Sequence, residues 1–209
     1  MTITRYKLLA YRASRPRSLE ECTADLSVLL NSLSKISPAA FQWKLLGSSK
    51  RKAMQNSFID PNNLDFLNDL IFKGANRRDD DRSIISDLGF QVFLWNGSSK
   101  DDAAASLSIV NGNTSKTSPN SVVLEFPYFG DLKENVETVI DILSVAVEAI
   151  EAERALLFRE DLAPPTFDKM FLETAAFLAD GFDPQSAHQL AREADEIILA
   201  SHGKIFIKR

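Results

Sequence analysis

Apolar residues recur along the chain with two different periods, and the switches between them divide it into elements. Leu19, Cys22, Leu26, Leu29, Leu30, Leu33 and Ile36 return at helical spacing. Ser18 followed by Glu21 has the form of a capping box, so a helix is predicted over about residues 18–36. Ahead of it, residues 3–11 alternate roughly every second position, which predicts a strand with one face on a core. Residues 41–45 alternate as well and predict a second strand, ending at Gly47-Ser-Ser-Lys50. Asp60 and Pro61 read as the cap and first residue of a helix that buries Leu64, Leu67 and Ile71 and stops at Gly74. Residues 76–82, rich in Arg and Asp, read as a solvated loop.

Three strand-like runs follow, at 90–95, 104–110 and 121–126. Asn96-Gly97 and Asn111-Gly112 end the first two, and both dipeptides accept the positive φ of tight turns, so the three runs are predicted to form an antiparallel meander. The first is apolar on nearly both faces, which predicts a central strand covered by helices, with Trp95, like Trp43, in the core. Beyond Pro127, Asp131 and Glu134 offer a cap for a long helix to about residue 153. Its apolar residues Leu132, Val136, Val139, Ile140, Leu143, Val147 and Ile150 fall within about 100° of arc, and Glu134, Glu137, Asp141 and Glu148 form a narrow acidic ridge opposite. In the tail, residues 155–158 read as a short strand and 166–179 and 184–193 as helices. Residues 197–200 and 204–208 are placed to pair around His202-Gly203. No linker rich in Gly, Pro or Ser separates this tail, so 1–209 is expected to be a single domain of α+β class, an antiparallel sheet with helices packed on it.

Charge sharpens this picture. Residues 1–100 carry +5 and residues 101–209 carry −10, within a net charge of −5. The acidic second half disfavours nucleic acid as a direct ligand and suits a basic partner. The opening residues place Arg5 and Lys7 inside their only apolar stretch, and no later segment is long and apolar enough to span a bilayer, so neither a signal peptide nor a membrane helix is expected. Cytoplasmic residence follows as the default for a chain with one cysteine.

Cys22 lies in the apolar stripe of the first helix and reads as a core residue. With it, His188 and His202 make too few Cys and His ligands for a zinc site. Gly47-Ser-Ser-Lys50 and Gly97-Ser-Ser-Lys100 lack the first glycine of a phosphate loop, and neither opens an obvious helix, so both read as turns. Asp79-Asp80-Asp81 with Asp87 lacks calcium-loop spacing, and the run is neutralised by Arg77, Arg78 and Arg82. No catalytic residue, metal or cofactor is therefore expected.

The central residues carry a resemblance. Arg82, Asp87, Gly89-Phe90, Leu94-Trp95-Asn96-Gly97, a strand ending Ile109-Val-Asn-Gly112, and Asn120-Ser-Val-Val-Leu-Glu-Phe-Pro127 resemble the pattern of the immunity protein 52 family, and Trp43 after a first helix fits its order of elements. The resemblance spans roughly residues 3–150, with 151–209 as an extension of the same domain. It implies an antitoxin without catalysis, made beside contact-delivered bacterial toxins that are often type VI secretion effectors. The expected partner is a cognate nuclease toxin with a restriction-endonuclease-like fold, bound in the cytoplasm without direct contact to nucleic acid or membrane. Glu134, Glu137, Asp141 and Glu148, with the Asn96-Gly97 turn, are the candidate contacts. The competing expectations are an effector-loading chaperone or adaptor, and an enzyme whose active site would show as a deep pocket with a pKa-shifted acid.

Overall fold

Ser18 caps the first helix as its spacing predicts: the hydroxyl accepts from the Glu21 amide, and the Glu21 carboxylate accepts from the Ser18 amide. The structure is a computed structural model that describes residues 5–100, 102–116, 118–127, 136–159 and 174–208. From this cap the helix α1 (Leu19–Ile36) buries Cys22, Leu26, Leu29, Leu30 and Leu33. That stripe faces an antiparallel sheet that has nine strands among the described residues.

The strands are β1 (Arg5–Arg12), β2 (Lys44–Leu45), β3 (Phe90–Trp95), β4 (Ser106–Asn111), β5 (Asn120–Pro127), β6 (Arg154–Arg159), β7 (Ala175–Ala179), β8 (Glu196–Ala200) and β9 (Gly203–Ile207). Their spatial order is β2-β3-β4-β5-β1-β6-β7-β9-β8. The predicted meander is β3-β4-β5. β1 lies in the middle of the sheet, and Leu8 faces Leu124 of β5 on one side and Leu157 of β6 on the other. The register puts Tyr6, Leu8 and Ala10 on the same face as Val122, Leu124, Leu157 and Phe177, all buried. On this face α1 packs between α3 (Leu64–Lys73) and α4 (Val136–Ile150). The opposite face is covered over its β6-β7-β9 part by α5 (Pro184–Glu193), whose Leu190 packs with Leu156, Ala176, Leu178 and Phe206. Among the described residues no helix is long and apolar enough to cross a membrane.

Several elements differ from their sequence expectations. Residues 175–179, expected as the end of a helix, form β7, and Ala175 to Leu178 are all buried. Residues 166–173 of that expectation lie outside the described residues. A run of small apolar residues covered from both sides has no period to report, so it reads equally as helix or strand. Only Lys44 and Leu45 of the second predicted strand pair with a neighbour. Asn63, not Asp60, caps α3, because its side chain accepts from the Phe66 amide while Asp60 turns back on Asn62. The first Gly-Ser-Ser-Lys does open a helix, α2 (Lys50–Gln55), capped by Ser49.

β3 is next to the edge of the sheet rather than central. Val92 and Leu94 face the helices, while Phe93, on the other side, is 49% exposed. Trp95 shares this open side and is half-buried, its indole donating to the Leu45 carbonyl at 3.2 Å. Trp43 is the true core residue: it is 2% exposed and stacked on Phe41 at 6.0 Å. At the far edge β8 pairs with β9 alone among the described residues, and its outward Leu199 is 78% exposed.

Candidate functional site

Helix α4 carries the acidic ridge. Val139, Ile142, Leu143, Ala146, Val147 and Ile150 are buried against α1 and the sheet. Spacings of four and seven residues place Glu137, Asp141 and Glu148 on one stripe of the opposite side, and all three are exposed. The ridge thus stands on a helix whose other face is fixed by packing, so its carboxylates are presented to solvent from a rigid base. Glu134 and Leu132 lie outside the described residues.

Asn96 points inward. It is 8% exposed, its amide donates to the Ala103 carbonyl at 2.7 Å, and its carbonyl accepts from the amides of Ala105 and Ser98. This side chain replaces backbone partners across the β3-β4 connection, which explains why an asparagine stands there. Gly97 follows with φ +77 and packs beside the Lys44 methylenes. Asn120 plays the same part in the next connection. Fully buried, it accepts from the Asn113 amide and donates to the carbonyls of Ala13 and Asn113, tying the β4-β5 connection to the segment after β1. Asn111 donates to Asp25 of α1 at 2.8 Å.

Close by, three arginines gather on Glu151. Arg12 and Arg17 reach its carboxylate at 2.7 Å, and Arg15 also pairs with it. Arg12 further donates to the carbonyls of Ile150 and Glu151, satisfying groups that the end of α4 leaves without helical partners. Glu151 itself sits at φ +48, a conformation that costs a non-glycine residue about 1 kcal/mol, and the arginines offset this. The hydrogen bonds from Arg12 and Arg15, with the charges of both, outweigh partial burial and hold the Glu151 carboxyl at about 2, against an ordinary 4.5. Because the folded value is depressed, the stabilisation is present above pH 4.5 and is lost as pH falls from there toward about 2. At nearly half exposure, solvent screening limits it to about 1 kcal/mol. Glu151→Gln should therefore lower the melting temperature at pH 7, and the gap to wild type should close as the pH is taken toward 2.5 in about half-unit steps.

Beside this cluster opens a groove of about 590 Å³ lined by Tyr11, Arg12, Lys116, Glu153, Arg154 and Phe182 among others. Neither Glu151 nor Asp25, whose carboxyl is raised by burial despite the Asn111 hydrogen bond, is among its lining residues. Burial, with Asp25 nearby, pushes the Cys22 thiol up to about 12, which leaves it an unreactive core residue. Among the described residues no three His, Cys, Asp or Glu side chains are grouped to hold a metal ion.

A further surface escaped sequence reasoning. Leu46, Met54, Phe58 and Phe66, at the β2 edge and the start of α3, are all more than a third exposed. Their sequence signal is faint but readable: residues 26–59 contain Lys35, Lys44, Lys50, Arg51 and Lys52 and no acidic residue.

The sequence profile of the family described as Immunity protein 52 matches residues 4–169, reaching past the long helix into the region after β6. No curated protein matches the chain. Among solved structures, a T6SS protein of Pseudomonas aeruginosa superposes with a TM-score of 0.54 at 11% identity. The alignment covers 98% of this chain and 64% of that one, and at this identity the likeness is one of fold.

Proposed function

The chain belongs to the immunity protein 52 family, and on that premise we propose that it binds a cognate toxin and neutralises it without catalysis. The family match over residues 4–169 carries this reading. The toxin we propose is a nuclease of restriction-endonuclease-like fold delivered by a type VI system, met in the cytoplasm of the cell that makes the immunity protein. A nuclease holds its substrate in a basic groove, and a carboxylate stripe on a rigid helix is complementary to such a groove in charge. Glu137, Asp141 and Glu148 are the proposed contacts, with Glu134 continuing the stripe in sequence. The Asn96-Gly97 turn would act through its fixed backbone, since the Asn96 side chain is occupied. Inhibition in this reading is steric and electrostatic occlusion.

The test is co-expression with the toxin encoded beside this gene. Wild type should protect the host, and Glu137→Lys/Asp141→Lys should weaken binding about tenfold or more, mainly through slower, more salt-sensitive association, with an unchanged melting curve. A folded double variant that binds and protects like wild type would remove the ridge from the interface. If wild type itself leaves the toxin active, the immunity reading is rejected for that toxin.

A further inference from the structure

The corner formed by β2, α2 and the beginning of α3 combines three features that rarely meet on an inert surface. It exposes apolar side chains: Leu46 is 58%, Phe58 52%, Met54 41% and Phe66 39% exposed. It contains a notch of about 270 Å³, walled by Leu45, Phe58, Ile59 and Phe66 and edged by Asn56 and Asn63. And it is cationic: Lys50, Arg51 and Lys52 are exposed on α2, while Lys44 lies 4.6 Å from the centre of the Phe58 ring and donates to the Met54 carbonyl. Lone exposed apolar residues are ordinary, but several gathered around a concavity mark a contact surface. Aromatic and methionine side chains with basic neighbours are also what the centres of protein interfaces favour.

We infer that this corner is a docking site for an acidic segment of a partner protein, which seats one apolar side chain in the notch and lays its carboxylates along Lys50, Arg51 and Lys52. The charge selects the partner's sign on the β2–α2 side, where Lys44, Lys50, Arg51 and Lys52 gather and no acidic residue occurs between Asp25 and Asp60 in the sequence, while Asp60 and Asp65 mark the α3 side. Asp60 lines the notch itself, which opposes a phosphate entering it, and the chain as a whole carries −5. Both features favour a peptide, whose apolar group enters while its charges stay on the rim, over nucleic acid or an anionic bilayer. Identifying that partner with the toxin rests on the function proposed above; the sign and chemistry of the site do not. The toxin would then be gripped at two poles, basic surface on the α4 ridge and acidic surface on this corner.

Two measurements test it. In the first, the full chain is titrated by NMR with a synthetic peptide of alternating Asp and Glu around one central Trp, with its Lys counterpart, with a short DNA duplex, and with phosphatidylserine vesicles. The acidic peptide should shift the Phe58, Phe66 and Lys50–Lys52 resonances and bind at least about tenfold more tightly than the Lys peptide, an effect that Phe58→Ala and Lys50→Glu/Arg51→Glu/Lys52→Glu should each abolish. Equal binding of the two peptides, or shifts at these residues only with DNA or vesicles, overturns the inference. In the second, the adjacent toxin is titrated calorimetrically into wild type and the folded triple variant, with an expected loss of about tenfold or more in affinity. Unchanged affinity overturns the toxin as occupant. Failure of wild type to bind that toxin counts against the immunity reading, while the peptide titration still decides the site.

Discussion

Trp43→Ala should lower the free energy of unfolding by about 3–5 kcal/mol, whereas Trp95→Ala should cost about half as much. Trp43 is 2% exposed and stacked against Phe41, which meets Phe126 edge-on at 6.0 Å, so truncation opens a cavity in the core beside Phe41. Trp95 keeps part of its ring in water on the open side of β3, and less area is lost there. Among the described residues the Trp43 indole nitrogen is buried without an acceptor. Trp43→Phe should therefore be mild, about 1.5 kcal/mol or less, because it removes an unsatisfied donor together with some packing. Urea melts of the three variants measure these differences directly; a Trp95→Ala loss equal to that of Trp43→Ala would contradict the partly exposed placement of Trp95.

Gly89→Ala carries the other large expected effect, about 3–5 kcal/mol from backbone strain and steric overlap together. Gly89 enters β3 at φ +61 and ψ −146, a region almost closed to residues with a Cβ. An added Cβ would lie 2.4 Å from the Asn111 carbonyl oxygen and 2.6 Å from the Asn113 amide nitrogen, both backbone atoms of the β4 end. Gly97→Ala is the useful comparison. Its φ is also positive, but the nearest atoms belong to the flexible Lys44 side chain, so about 1–2 kcal/mol is expected. Hydrogen exchange should show the Gly89→Ala damage concentrated where Phe90 pairs with Asn111.

These residues also show what the chain reveals by itself. Ser18 with Glu21 announces α1 because capping is settled within a few adjacent residues. The Asn-Gly dipeptides announce the meander for the same local reason. β7 is hidden because Ala175 to Leu178 are covered from both sides, which erases the alternation that distinguishes a strand. The open side of β3 is hidden too, since Phe90 to Trp95 looks apolar throughout and only the position of the helices decides which side stays bare. The α4 ridge was readable from helical spacing alone, and Glu137, Asp141 and Glu148 are exposed as that spacing requires. Of the cationic corner only the run without acidic residues shows in the sequence, because Phe58 and Phe66 become neighbours only through the turn that precedes α3.

The central place of β1 also sets a timetable. Its apolar face is completed by β5 and β6, strands that lie more than a hundred residues later in the chain. At a synthesis rate of about 5–20 residues per second, roughly 5–20 s pass between the appearance of residue 12 and that of residue 120. During that interval Leu8 and Leu9 have no strand to pair with, and the earlier α1 cannot settle on a finished sheet. Loop closure over such distances also slows folding once the chain is free. Under the toxin-binding role proposed above, protection would depend on molecules already folded when the toxin arrives rather than on fresh synthesis.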